Sequence, residues 1–268
     1  MRHRLTTSFA TLASCALMPA FAAAAGDDDR PDAVPYRPTV STPAALSAPG
    51  WLEGEFGGLY LRHRHADDGP ERRSSLPYTI KFAFTEDWGI RVGGEAIVHA
   101  AVVDGSHETG FGDTAIVAKR RFEIDKASAF GLEAGVTIPT AKPALASGSG
   151  KPDWSINGIY SADLPGGWHA DVNLLDTRSG SRQGDQSRWQ TLGAIAMSRP
   201  LDDRWTAAAE ISGTHQHDAN GTAQVLGALS CAIRRDIVID FGTAHGLNRA
   251  TPTWQAFAGV TVLLGKVY

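Results

Sequence analysis

The chain of 268 residues has only two cysteines, and one of them, Cys15, lies inside a stretch that reads as a cleaved leader. With that leader gone Cys231 is alone, and no intrachain disulfide can hold the fold. Long apolar runs are missing too. Beyond residue 25 none approaches the ~20 uncharged residues that a membrane helix needs, so any membrane insertion has to be made by strands. An excess of basic charge is also lacking: 25 Lys and Arg stand against 29 Asp and Glu, a net −4. Removal of Arg2 and Arg4 with the leader leaves 23 against 29, a net −6, which argues against a nucleic-acid partner. Gly110-Phe111-Gly112 is not a dinucleotide loop, because no helix follows it. No Ser/His or Asp/His spacing singles out a nucleophile with its base, so neither an enzyme nor a cofactor is expected.

The N-terminus carries Arg2 and Arg4, an uncharged stretch from Leu5 to Met18, and a small-residue zone ending in Ala22-Ala23-Ala24-Ala25. A charged region, an apolar region and a cleavage zone in that order make residues 1–25 a secretory signal peptide. Leu12-Ala13-Ser14-Cys15 also fits a lipobox, which would make Cys15 a lipidated N-terminus; the Ala-Phe-Ala site further on would then go unused. Residues 26–50 hold Asp27-Asp28-Asp29 and then Pro31, Pro35, Pro38, Pro43 and Pro49. So many prolines exclude a helix or a central strand. The segment reads as a periplasmic leader or as a plug in a barrel mouth.

From residue 51 the pattern changes. In Leu76-Pro77-Tyr78-Thr79-Ile80-Lys81-Phe82-Ala83-Phe84, the large apolar residues share one parity and Thr79, Lys81 and Ala83 the other. That is a strand with one apolar face. Candidate strands of this kind fall at 51–61, 75–84, 88–101, 113–123, 128–138, 154–161, 168–177, 188–198, 205–213, 222–233, 237–245 and 253–264. Short turns follow the even-numbered candidates and longer polar loops follow the odd ones, without a break. A soluble sandwich has no reason to sort its connections by parity. An outer-membrane barrel does, with short periplasmic turns, long extracellular loops and both termini in the periplasm. Trp88, Trp168 and Trp205 follow short turns, whereas Trp154, Trp189 and Trp254 open strands after long loops, as two aromatic girdles would. The sequence therefore predicts an all-β, antiparallel, up-and-down transmembrane barrel of about twelve strands over 51–268, in the bacterial outer membrane. Its surroundings would be outer-membrane lipids. Val260, Val262, Leu264 and the terminal Tyr268 share a face, like the terminal strand that barrels present to their assembly machinery.

Inward parity places Glu53, Glu55, Lys81, Arg91, Glu95, Lys119, Arg121 and Glu133 on the first five strands, with signs alternating from strand to strand as cross-strand pairs require. They read as a stiffening ladder and equally as the polar lining of a solute path. The second half offers inward Asp171, Glu210 and Asp240 with no evident inward base, so that wall is expected to be acidic. His63, His65, His215 and His217 pair up as His-x-His in loops. Imidazole suits zinc or copper, but a lone pair is a weak signal, and no metal site is assigned.

Several fragments resemble an outer-membrane family named for the MetA pathway of phenol degradation. These are Arg37-Pro38-Thr39-Val40-Ser41 with Ala48-Pro49-Gly50-Trp51-Leu52-Glu53-Gly54-Glu55, and Gly110-Phe111-Gly112-Asp113-Thr114 with Lys119-Arg120-Arg121-Phe122. Gly135-Val136-Thr137-Ile138-Pro139-Thr140 and Asn157-Gly158-Ile159-Tyr160-Ser161 match as well. Arg120 departs from the aromatic residue expected at an outward position. The resemblance implies an outer-membrane barrel that passes small organic, aromatic or hydrophobic molecules as a passive channel. The other function to be weighed is a closed structural or surface-binding barrel whose extracellular loops are the working part.

Overall fold

The computed structural model describes residues 30–64, 70–102, 106–142, 145, 149–181 and 187–268. Its strands are β1 (Trp51–Arg62), β2 (Pro70–Ala83), β3 (Trp88–Val102), β4 (His107–Gly110), β5 (Thr114–Glu123), β6 (Ser128–Ile138) and β7 (Asp153–Leu164). They continue as β8 (Trp168–Arg178), β9 (Trp189–Pro200), β10 (Trp205–Gln216), β11 (Thr222–Arg234), β12 (Ile237–Gly246) and β13 (Trp254–Lys266). Each wall strand pairs antiparallel with the next in sequence, and β1 pairs with β13 from Trp51–Lys266 to Arg62–Trp254, which closes the sheet. Closure leaves no edge whose backbone groups would face hydrocarbon without partners.

Two of the thirteen segments are one strand. β4 runs along Val98–Ala101 of β3, and β5 along Trp88–Gly94 of the same strand, so the ring has twelve positions. The fourth strand was expected to begin at 113; instead it begins at His107 and is interrupted. Opposite the interruption, the β2–β3 register shifts between Ser75 and Pro77, and the Gly112 amide donates to the Glu95 carbonyl at 2.9 Å. An irregular step in one strand is matched by an irregular step in its neighbour.

Period-2 alternation decides what each strand shows to either side. In β6, Ala129, Gly131, Glu133 and Gly135 are buried inward, and Phe130, Leu132 and Ala134 are exposed outward. Ile156 and Leu174 are 60% and 59% exposed on the outer surface, an arrangement that only a lipid surround makes favourable. Trp88 and Trp168 sit exposed at the end with the short turns, Trp154 and Trp189 at the end with the long loops. Outward Arg120 has a physical reason. Its guanidinium lies 5.1 Å from the Trp88 ring centre and 4.5 Å from that of Phe122, and Arg199 lies 5.5 Å from Trp168 in the same way. Stacking on an aromatic face at the girdle keeps a cation tolerable there. Two of the short turns are closed by their own carboxylates, Asp125 and Asp202, and the one between β2 and β3 by the Thr85 hydroxyl. Asp202 accepts from the amides of Arg204 (2.8 Å) and Trp205 (2.7 Å), and these bonds hold its carboxyl below the usual carboxylate range.

Residues 31–50 fill the interior. The Ala33 amide bonds the Arg235 carbonyl beside the short turn between β11 and β12, and the Gly50 amide bonds the Ala83 carbonyl before β1 begins. Between those points the segment enters the lumen and comes back. The Val267 amide bonds the Gly50 carbonyl, so the chain's last residues lie at the same end.

Candidate functional site in the barrel lumen

On the β1–β6 wall the expected charges meet. Lys81 Nζ lies 2.5 Å from Glu53 and 2.6 Å from Glu55, all three buried. Arg91 lies 3.2 Å from Glu133, and Lys119 lies 3.6 Å from it across the β5–β6 pair. Glu95 is joined by Arg73 at 2.5 Å, an inward base that parity reasoning left out. Arg121 does not join this network; it pairs with Glu123 on its own strand at 3.2 Å, near solvent. Asn157 donates to both Glu133 and Asn173 at 3.1 Å, continuing the polar seam towards β8.

The leader completes these groups. The Val34 and Tyr36 amides donate to Glu53 (2.9 Å) and Glu55 (2.6 Å), and Lys81 donates to the Val34 carbonyl at 2.6 Å. Tyr36, 6% exposed, lies near two ammonium groups, with Lys81 Nζ 3.9 Å and Lys119 Nζ 4.1 Å from its ring centre. Its hydroxyl accepts from Lys119 at 3.0 Å and donates to the Ala45 carbonyl at 2.9 Å. Burial, with Glu133 nearby, pushes its pKa well above the usual tyrosine value, so the phenol is neutral.

The expected acidic wall is corrected by the same segment. Asp240 receives Arg37 in a two-pronged bond, 3.0 Å from both Nε and Nη2. Gly57 and Gly259 make the room, since a Cβ at either would stand within 2.8 Å of the guanidinium. Glu210 accepts from the Ser41 amide at 2.7 Å. Asp171 accepts from Ser161 Oγ in a short bond and lies 3.3 Å from His169 Nε2, whose Nδ1 meets Asp163 at 2.6 Å. Ser161 Oγ also accepts from the Ala44 amide at 2.7 Å, and Asn173 bonds Ser41 and Thr42. Further up, the wall is apolar: Leu226, Ala228, Ala244 and Phe257 cluster there. The three carboxylates expected to stand alone are thus held by partners, Asp240 and Glu210 by the leader and Asp171 by residues of β7 and β8. Residues 34–39 of the leader and small residues of β9–β11, among them Ala196, Ala208 and Ser230, line a half-open pocket of about 410 Å³.

At the long-loop end, Leu145 is fully buried against Val98 and Ala100, and Arg73 donates to its carbonyl at 3.3 Å. Of the loop histidines, His63 bonds the Arg249 carbonyl at 2.8 Å, His215 is exposed, His217 lies 2.5 Å from Asp218, and His65 falls outside the described residues. Among the described residues no group of three or more His, Cys, Asp or Glu is arranged to hold a metal ion.

Sequence reasoning missed Tyr36, Arg37, Ser41 and Arg73 as contributors. One signal was available: three inward carboxylates without a base on their own wall, and an arginine in a segment not yet placed.

These features define a class: a closed, lipid-facing β-barrel with a polar lumen filled by its own N-terminal segment. The chain belongs to the family described as "Putative MetA-pathway of phenol degradation", whose model matches residues 37–264. Among solved structures it is similar to an outer-membrane channel from Pseudomonas putida F1, with TM-score 0.64 and 11% identity over 82% of this chain and 98% of that one. It is also similar to the NanC porin (TM-score 0.57, 10% identity, 79% of this chain and 99% of that one) and the KdgM porin (0.55, 9%, 80% and 99%). At such identities the likeness is one of fold. A comparison with curated protein sequences finds no match.

Proposed function

We propose that this chain is a passive channel of the bacterial outer membrane for small organic molecules, with residues 31–50 as its plug. In this reading residues 1–25 are the cleaved signal peptide, the short-turn end faces the periplasm, and both termini lie there. β13 with Tyr268 is the strand offered to the assembly machinery. One observation carries the reading: the lumen is filled by a separate segment rather than by the inward side chains alone. Side chains alone can fill a barrel of about eight strands, and the lumen widens with strand number, so a twelve-position ring leaves room for more. Here the inward faces carry glycine, alanine and polar groups, and a half-open pocket of about 410 Å³ lies beside the leader. The family membership and the channel and porin folds it resembles support the same reading. No chemical step belongs to it.

The test is single-channel recording of the refolded protein in planar bilayers. Wild type should give small or infrequent openings, and Arg37→Ala, which frees the leader from Asp240, should raise the open time. Silence from both would overturn the channel. It would favour instead a closed, surface-binding barrel, a reading that the Leu145 packing in the long-loop mouth supports on its own.

A further inference from the structure

The Tyr36 side chain is a para-alkyl phenol, and the lumen holds it as a binding site holds a ligand. Two ammonium groups stand close to the ring, Lys81 Nζ 3.9 Å from its centre and Lys119 Nζ 4.1 Å from it at the hydroxyl end. The hydroxyl makes both of its bonds, accepting from Lys119 and donating to a backbone carbonyl. The surrounding charges are three bases (Lys81, Arg91, Lys119) and three acids (Glu53, Glu55, Glu133), which sum to zero. A neutral ring with one hydroxyl leaves that balance intact, whereas an aromatic carboxylate would add an unpaired charge in a desolvated place. A plain hydrocarbon would fill the volume but leave the Lys119 donor short of an acceptor.

We propose that the Lys81–Lys119 site is a receptor for neutral phenols, and that Tyr36 is its tethered occupant, which a free phenol displaces. Lys81 supplies the main cation–π contact, and Lys119 supplies the hydroxyl donor. Both lysines meanwhile hold the leader through the Val34 and Pro43 carbonyls, at 2.6 and 2.5 Å, and Tyr36 sits between those two points. Loss of the Tyr36 ring from its place therefore loosens the plug at its centre, and arrival of the solute becomes the event that frees its path. The opening step rests on the channel reading. The binding site does not.

Binding is tested apart from transport, on the full chain refolded in detergent, with p-cresol as probe. In Tyr36→Ala the site is vacant, and p-cresol should raise the thermal midpoint in a saturable way. Toluene, which lacks the hydroxyl, should bind at least ~10-fold more weakly, as loss of a hydrogen bond to a charged donor implies. Benzoate should have no effect. Wild type should need at least ~10-fold more p-cresol than Tyr36→Ala, because a tethered competitor acts at an effective concentration in the millimolar range. Lys119→Met in the Tyr36→Ala background should abolish the advantage of p-cresol over toluene. Should Tyr36→Ala fail to refold, Tyr36→Leu, which keeps apolar bulk, takes the same titrations. Equal binding of p-cresol and toluene, or an effect unchanged by Lys119→Met, would overturn the proposal. Silent bilayers together with selective p-cresol binding would remove the channel and leave the site; conductance without such binding would do the reverse.

Discussion

At the residue scale, Lys81 is held with Glu53 and Glu55, where one ammonium answers two buried carboxylates. Such clusters resist removal of one member far more than removal of all, because a lone buried charge has no compensation. Lys81→Met leaves both carboxylates unpaired and should cost about 3–5 kcal/mol in urea unfolding. The triple variant Lys81→Met/Glu53→Gln/Glu55→Gln keeps carbonyl acceptors for the Val34 and Tyr36 amides, so it should recover most of that loss. A triple variant no more stable than Lys81→Met would mean that the cluster acts by packing rather than by charge. These side chains were legible in the sequence because each sits on a strand of clear parity. What was not legible is that their remaining valences are used by amides of the leader, since those contacts span 19 residues and involve backbone rather than side-chain donors.

At the scale of elements, parity alone separates lipid from lumen, and depth along the strand sets the penalty for error. Ile80 of β2 is outward, paired with Gly54 and Val92 well inside the strand, whereas outward Ser74 lies opposite Tyr60 and His99 towards the long loops. Ile80→Arg should therefore cost roughly 2–4 kcal/mol in a lipid-embedded unfolding assay, and Ser74→Arg only about 0–1 kcal/mol. Equal costs would mean that the face or the depth is assigned wrongly. Strands were readable because side-chain alternation is local; β6 and β7 fall within a few residues of their expected bounds. The split of the fourth strand was not, because the irregular step that causes it is shared with β2 and β3, which are remote in sequence. Nor was the leader's course. A proline-rich stretch announces what it cannot form, and its place is decided by partners such as Asp240, 203 residues away from Arg37.

At the scale of the whole molecule, the leader changes what field the lumen presents. Strand parity alone gives four inward bases against seven acids, with the excess on Asp171, Glu210 and Asp240, and predicts a cation preference. The structure adds Arg37 beside Asp240, Arg73 beside Glu95 and Glu123 beside Arg121, so six bases face eight acids. A wall this nearly balanced should select weakly, and salt screens what remains over ~8–10 Å. The wild type is therefore expected to show reversal potentials close to zero across a salt gradient. Removal of one member of the Arg37–Asp240 pair should then reveal the other. Arg37→Gln exposes the Asp240 carboxylate and should move the reversal potential towards cation preference, while Asp240→Asn exposes the guanidinium and should move it the opposite way. The double variant should return near the wild-type value, although both single variants loosen the leader to a similar degree. Opposite signs are what separates charge from mechanics: if both single variants shift selectivity in the same direction, the pair works only as a latch, and the field of the pore is set elsewhere.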